Sequence, residues 1–214
     1  LINAIQIGPE QAYQAAAAIR KYKPQFLKGV ASAIYYLALC LKNAGFDDLS
    51  FKAVFSTGEV LTPQYRSLVE SVFDCKVMDS YGHMERTVAI SECPEGGYHI
   101  NSEYGLLQFE ETLSLDNGYS SIGKAIGTSL HNMAMPLIRY EIGDDIEFYN
   151  HNVQCPCGRT LPLVKAIHGR SQDTIVTPDG RFITSMFVLP EIVRGADWVQ
   201  FIQAAPLRLL VRAV

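Results

Sequence analysis

The hydrophobic pattern of this chain changes rhythm near residue 88, and each rhythm admits few folds. Upstream, helical and strand patterns alternate. Pro9 and Glu10 suit a first helical turn, the proline by its fixed backbone angle and the acid by the helix dipole. That pattern runs to about Lys23, where Pro24 stops it. A second helix is expected from roughly Ala31 to Asn43, apolar nearly all round and therefore buried, with Gly45 as its stop signal. Phe51–Ser56 reads as a buried strand, Pro63–Phe73 as a helix capped by Thr62, and Lys76–Ser80 as another strand. This order predicts α/β architecture with a largely parallel sheet.

Downstream, short β-rich runs are punctuated by glycine and asparagine. They are Val88–Glu92, Tyr98–Asn101, Gly105–Glu110, Ala125–His131, Leu137–Tyr140 and Asp145–Tyr149. Gly96-Gly97 and Asn117-Gly118 are turn dipeptides between them. An antiparallel sheet or small barrel is expected here. After Gly169 the composition changes again, into a short α+β segment ending in the strand-like Leu207–Val214. The expected division is therefore an α/β part over 1–87, a β-rich part over 88–168, and a hinge with the start of a small α+β domain over 169–214.

At 48% hydrophobic residues among 214, the chain can bury a core. Its formal charge of −4 gives no electrostatic footprint for nucleic acid. The longest uncharged apolar run, Gly29 to Leu41, falls well short of the roughly 20 residues that span a bilayer. No basic start followed by an apolar core and cleavage site opens the sequence. A cytoplasmic protein without nucleic-acid or membrane partners is expected. The first residue is Leu rather than Met, which suggests a fragment or processed chain. Five cysteines, an odd number, argue against a secreted disulfide framework. Cys40 and Cys75 read as inert core thiols.

Four clusters of glycine and acid follow expected strands, where α/β folds place ligand contacts. They are Ser56-Thr57-Gly58-Glu59, Tyr81-Gly82-His83-Met84-Glu85, Arg139-Tyr140-Glu141-Ile142-Gly143-Asp144 and Gly169-Arg170-Ser171-Gln172-Asp173. Any one alone is an ordinary turn. In this order and spacing the set resembles the adenylate-forming superfamily of acyl- and aryl-coenzyme A ligases. The nearest look is to phenylacetate–coenzyme A ligase and its capsule-biosynthesis and deazaflavin-adenylating relatives. The segment Thr128 to Tyr140, with Pro136-Leu137-Ile138-Arg139-Tyr140, matches a phrase of that branch.

The resemblance implies an adenylate-forming fold and an ATP-dependent ligase. A carboxylic acid attacks the α-phosphate of ATP, releasing pyrophosphate, and coenzyme A then displaces AMP from the acyl-adenylate. It assigns Gly58 and Glu59 to the adenine pocket, Tyr81 and Gly82 to the base, Asp144 to the ribose hydroxyls, Arg170 to ribose or phosphate, and Gln172 to the hinge. Those residue types suit the tasks. A tyrosine face stacks on a base, and glycine permits close backbone approach. An ionised carboxylate accepts from both ribose hydroxyls, and a guanidinium offers a donor fork. Glu85 is the implied catalytic residue, a hard oxygen ligand for Mg²⁺. Ala33 and Tyr35, with His83, are candidates for the acyl pocket. The family's phosphate loop would precede Leu1, and its adenylation lysine would follow Val214. Met84, Glu141-Ile142 and Gln172 depart from the usual residues.

Cys155-Pro156-Cys157-Gly158 is a tight thiol pair, and Cys93 and His99 flank a Gly-Gly turn. Cys93, His99, Cys155 and Cys157 together would make a structural Cys₃His zinc site, and members of the ligase branch look similar here. The alternative is a pair of loop cysteines and a surface histidine. The expected partner is a small carboxylic acid; an aryl or phenylacetate-like acid is the nearest by resemblance, and family members often form homodimers. Two further readings compete: adenylation with a deazaflavin or polysaccharide-precursor acceptor in place of coenzyme A, and a zinc-stabilised nucleotide-binding module that has lost catalysis.

Overall fold

A computed structural model of the chain describes residues 9–115, 118–170, 175–176, 182–183, 199–205 and 208–213. Three strands and three helices build the first part: α1 (Pro9–Tyr22), β1 (Phe26–Val30), α2 (Ala31–Asn43), β2 (Ala53–Thr57), α3 (Pro63–Phe73) and β3 (Val77–Gly82). β1, β2 and β3 are parallel neighbours, so α2 and α3 serve as the crossovers that parallel pairing requires. The apolar positions anticipated for α2 become its buried face: Ile34, Leu37, Ala38 and Leu41 pack with Val54 and Val77 of the sheet, Val69 and Phe73 of α3, and the small face Ala12, Ala15 and Ala16 of α1.

The helix ends follow local chemistry. Thr62 Oγ1 accepts from the Tyr65 amide at 3.2 Å, Pro63 opens α3, and Asp74 closes it in a left-handed conformation. The side chain of Val30 offers no cap to α2; a carboxylate oxygen of Glu59 accepts from the Ser32 amide at 2.9 Å instead. This places a negative charge at the positive end of α2.

Strands β4 (Ala89–Glu92), β5 (Tyr98–Ile100), β6 (Gly105–Leu115), β7 (Ser120–Ser129), β8 (Tyr140–Tyr149) and β9 (Leu163–Arg170) follow. All nine strands belong to one mixed sheet with the linear order β1-β2-β3-β4-β5-β9-β8-β7-β6. The β-rich half is thus continuous with the parallel half. Its core is Val88, Ile90, Ala125, Ile142, Ile146 and Val164.

Two expectations differ from what is seen. Leu137–Arg139 belongs to the β7–β8 loop rather than to a strand, held there by the Ser129 amide bonding to the Leu137 carbonyl at 2.8 Å. Strands β1 and β9 have no counterpart in the expected set. β1 is a short edge strand whose residues merge with the apolar start of α2, and the Lys-Ala-Ile-His-Gly stretch of β9 carries no clean alternation.

Small residues explain how β6 and β7 lie so close to Thr87. A Cβ on Gly105 would stand 1.7 Å from the Thr87 carbonyl oxygen, and one on Gly127 would stand 1.9 Å from Thr87 Oγ1. Beyond β9, two further antiparallel pairs are described: β10 (Ile175–Val176) with β11 (Phe182–Ile183), and β12 (Val199–Ala205) with β13 (Arg208–Ala213). β13 coincides with the strand-like C-terminal run. The expected hinge residue Gln172 lies outside the described residues.

A buried polar network fastens the two halves together. The Arg66 guanidinium on α3 donates to both oxygens of Glu92 at 2.9 and 2.8 Å, and Glu92 also accepts from the Asp79 amide at 2.7 Å. Asp79 accepts from the Ser80 amide at 3.0 Å and from the Tyr98 hydroxyl at 3.3 Å. Replacing Arg66 by alanine leaves the buried Glu92 carboxylate without its cation. Urea unfolding of Arg66→Ala is expected to show a loss on the order of 3 kcal/mol; a loss under about 1 kcal/mol would equate this pair with an exposed one.

Burial, with the Glu92 charge in support and the Ser80 amide in opposition, holds the Asp79 carboxyl up at about 6. An unfolded chain ionises aspartate near pH ~3.9, so the native state binds the extra proton between the two values. Stability from this group is complete below the lower value and is lost as pH rises through the upper one. The unfolding free energy of the wild type minus that of Asp79→Asn is therefore expected to fall, by up to about 3 kcal/mol, between pH ~4 and ~6. Urea titrations at half-unit intervals would check this, and a flat difference would refute it.

Candidate functional site

Three strand ends and the middle of β8 converge on one region. The loop after β2 brings Gly58, in the left-handed conformation at φ 81°, and Glu59. The end of β3 brings Tyr81 and Gly82, β8 brings Asp144, and the end of β9 brings Gly169 and Arg170. Two contacts tie these ends together. Asp144 and Arg170 are cross-strand partners, and a Cβ on Gly169 would stand 3.1 Å from Val60 in the β2–α3 loop.

The Tyr81 hydroxyl donates to Asp144 Oδ2 at 2.6 Å, and Arg170 Nε stands 3.5 Å from Asp144 Oδ1. Burial first and the Asp144 carboxylate second push the Tyr81 hydroxyl well above the usual tyrosine range, so it remains a donor. Asp144 is nearly buried whereas the Arg170 side chain is 68% exposed. The arrangement offers a carboxylate with a buried inner partner and an exposed outer one. Such a group holds a polar ligand by exchanging the outer partner for it.

Glu85 lies beside this group on the β3–β4 loop. Its Oε1 accepts from the Tyr140 hydroxyl at 3.3 Å and its Oε2 meets His83 Nδ1 at 2.9 Å. The His83 bond, first among its causes, holds the Glu85 carboxyl below the usual glutamate range. An exposed, ionised carboxylate is a suitable ligand for a hard divalent cation.

Among the sequence-derived candidates, Tyr81, Asp144 and Arg170 form one contiguous set, with Gly58, Glu59 and Gly82 at adjoining strand ends. Ala33 and Tyr35 sit on α2, where the Tyr35 ring stacks on Tyr65 of α3 with centroids 4.3 Å apart and meets Tyr36 edge-on. His83 turns its nitrogens to Glu85 and Thr87. Sequence reasoning did not single out Thr87 or the Tyr140 hydroxyl, and neither residue type signals its role without the fold.

A second cluster stands at the far side of β5. One ligand atom from each of Cys93, His99, Cys155 and Cys157 lies within 4.8 Å of the others. Cys93 Sγ and Cys155 Sγ are 3.6 Å apart, and Cys157 Sγ and His99 Nε2 are 3.3 Å apart. Donors at about 2.0–2.3 Å from a tetrahedral zinc stand about 3.3–3.8 Å from one another, which matches these distances. Two turns of the same pattern, Cys-Pro-x-Gly, present the thiols. Gly96 bonds back to Cys93 and Gly158 to Cys155, both glycines being left-handed. That repeated tetrapeptide was the available sequence signal.

Two further details fit a metal centre. A Cβ on Gly97 would stand 2.7 Å from Cys155 Sγ, so only glycine leaves room for the thiols. His99 is fully buried and its Nδ1 faces the Leu161 carbonyl at 3.3 Å, which leaves Nε2 as the ligand nitrogen. Burial opposes ionisation of Cys93, yet hydrogen bonds from the Gly97 amide and then from His99 hold its thiol below the usual range.

No protein-family model matches the chain. It is 27% identical over 178 residues to Protein CapK of Staphylococcus aureus, a match covering 78% of this chain and 36% of that protein. It is 28% identical over 168 residues to phenylacetate-coenzyme A ligase of Thermus thermophilus, covering 74% of this chain and 37% of that one. The chain thus spans little more than a third of the length of these curated relatives. Among solved structures, 2-hydroxyisobutyryl-CoA ligase in the postadenylation state with R3-HIB-AMP superposes at a TM-score of 0.72 and 20% identity, over 97% of this chain and 47% of that chain. The anthranilate CoA ligase AuaEII with anthranoyl-AMP superposes at 0.57 and 16% identity, over 97% and 42%. No helix among the described residues is long and apolar enough to cross a membrane. The chain is similar in sequence to these two proteins and shares the fold of the adenylate-forming ligases among its structural neighbours.

Proposed function

We propose that this chain supplies the nucleotide pocket of an ATP-dependent ligase that activates a carboxylic acid as its acyl-adenylate and passes the acyl group to coenzyme A. The observation that carries this reading is the Tyr81–Asp144–Arg170 set at the strand ends, with Glu85 beside it. Asp144 would accept from both ribose hydroxyls, with Tyr81 fixing its inner oxygen and Arg170 swinging toward ribose or phosphate. Gly82 and the Gly58-Glu59 turn would line the base. Glu85 would hold Mg²⁺, which when bound supplies neutralisation of charge on the phosphate oxygens. The residues otherwise act by positioning and electrostatics, the terms that dominate phosphoryl chemistry.

An aryl or phenylacetate-like acid is the proposed substrate class, supported by the match to phenylacetate-coenzyme A ligase. A second reading is adenylation with an acceptor other than coenzyme A. Pyrophosphate exchange with thioester formation by the full-length gene product would favour the first, and exchange without thioester the second.

Calorimetric titration with AMP and with ATP·Mg²⁺ tests the pocket. Asp144→Ala is expected to weaken AMP binding at least about tenfold, the cost of losing a charged hydrogen-bond acceptor. Unchanged affinity in a folded variant would overturn the ribose assignment.

We also propose that Cys93, His99, Cys155 and Cys157 hold a structural zinc ion, closed to catalysis because four protein ligands complete its coordination. Elemental analysis is expected to find one zinc per chain, and Cys155→Ser is expected to lose it together with thermal stability. A wild type that purifies without zinc, and whose melting temperature Cys155→Ser leaves unchanged, would refute the site.

A further inference from the structure

The β3–β4 loop contains a histidine that is buried at its side chain, 8% exposed, beside a glutamate that is 40% exposed. Both ring nitrogens of His83 are engaged: Nδ1 meets Glu85 Oε2 at 2.9 Å and Nε2 meets Thr87 Oγ1 at 2.8 Å. An ionised carboxylate only accepts, so the ring hydrogen belongs on Nδ1. Nε2 then accepts from the Thr87 hydroxyl. The order of donation is Thr87 to His83 to Glu85, met from the other side by the Tyr140 hydroxyl.

This chain of bonds is anchored where the fold cannot yield. Thr87 is fully buried, and the missing side chains of Gly105 and Gly127 form its slot. The His83 ring lies nearly parallel to that of Tyr140, with 15° between planes and centroids 6.4 Å apart. The His83 carbonyl also accepts from the Arg86 amide at 3.1 Å, which closes the loop as a turn. Glu85 is therefore aimed by two donors of fixed origin. An exposed glutamate on a loop would otherwise sample several rotamers, and each would have to be frozen on binding a cation.

We propose that His83 is a positioning residue that holds the Glu85 carboxylate in its metal-binding orientation, with Thr87 fixing the tautomer and plane of the ring. The proposal deepens the reading of Glu85 as the Mg²⁺ ligand and rests on it. His83 acts through Glu85 rather than on the acyl group.

The test uses Mn²⁺ as the probe, its binding to the full-length gene product followed by electron paramagnetic resonance with ATP present. Glu85→Gln and His83→Ala are each expected to weaken Mn²⁺ binding about tenfold or more. His83→Asn is expected to stay within about threefold of the wild type, because its amide nitrogen can replace Nδ1 as the donor to Glu85. ATP affinity without divalent cation should be the same in all four proteins. If Glu85→Gln weakens Mn²⁺ but His83→Ala does not, the positioning role fails while the metal assignment stands. If Glu85→Gln binds Mn²⁺ like the wild type, the metal assignment itself fails. If His83→Ala also loses metal-free ATP binding, or His83→Asn fails to restore Mn²⁺ binding, the role is one of general folding and the proposal is overturned.

Discussion

The Glu92 carboxylate is the point on which the arrangement of this sheet depends. It is nearly buried, so its charge carries a desolvation cost that only full coordination offsets. Arg66 from α3 supplies two bonds and the Asp79 amide a third. That coordination fixes three things together: the distance of α3 from the sheet, the register of β3 against β4, and the starting direction of the Cys93 turn. Tyr98 repeats the logic from β5 by reaching Asp79. The strand that ends in Tyr81 is thus held from its helical side and from the β-rich side.

From this fixed strand the site follows by short steps. β3 delivers Tyr81 to Asp144 across 63 positions of sequence, and β8 delivers Asp144 to Arg170 through direct strand pairing. No long side chain has to search for its partner, because the backbone has already set the spacing. The same economy governs Glu85. Its loop is short, and buried groups decide its direction. Rigid strands therefore carry Asp144, while a tethered loop carries Glu85.

Much of this was legible in residue order. Helix α2 was found at its observed limits because an apolar run between Val30 and Gly45 has few other fates, and α3 because Thr62-Pro63 is a strong opening. The glycine–acid clusters at Ser56–Glu59, Tyr81–Glu85 and Gly169-Arg170 marked strand ends by the residue types that turns and ligands both require, whereas Tyr140–Asp144 opens β8 instead of following a strand. What stayed hidden had physical reasons. The first half of β7 is built from Ser120, Ser121 and Gly123, buried by size rather than by hydrophobicity, so no alternation announces it. β9 mixes Lys165 and His168 among small apolar residues because both of its edges are paired and its faces meet different surroundings. Thr87 is invisible for a further reason: its slot is made by glycines 18 and 40 positions away, and absent side chains leave no pattern.

The place of β9 in the strand order has a consequence for how the chain is made. It is the last strand of the sheet to be synthesised, yet it lies between β5 and β8. Until it leaves the ribosome, β5 and β8 each present an open edge of unpaired amides and carbonyls, the kind of surface that recruits other chains. The Cys155-Pro156-Cys157-Gly158 turn emerges just ahead of β9 and is seated against the β4–β5 turn. Thiols gathered there would deliver the incoming strand to the gap it must fill. A nascent chain stalled before Leu163 would carry two half-sheets, and one released after Arg170 would carry a single closed seam.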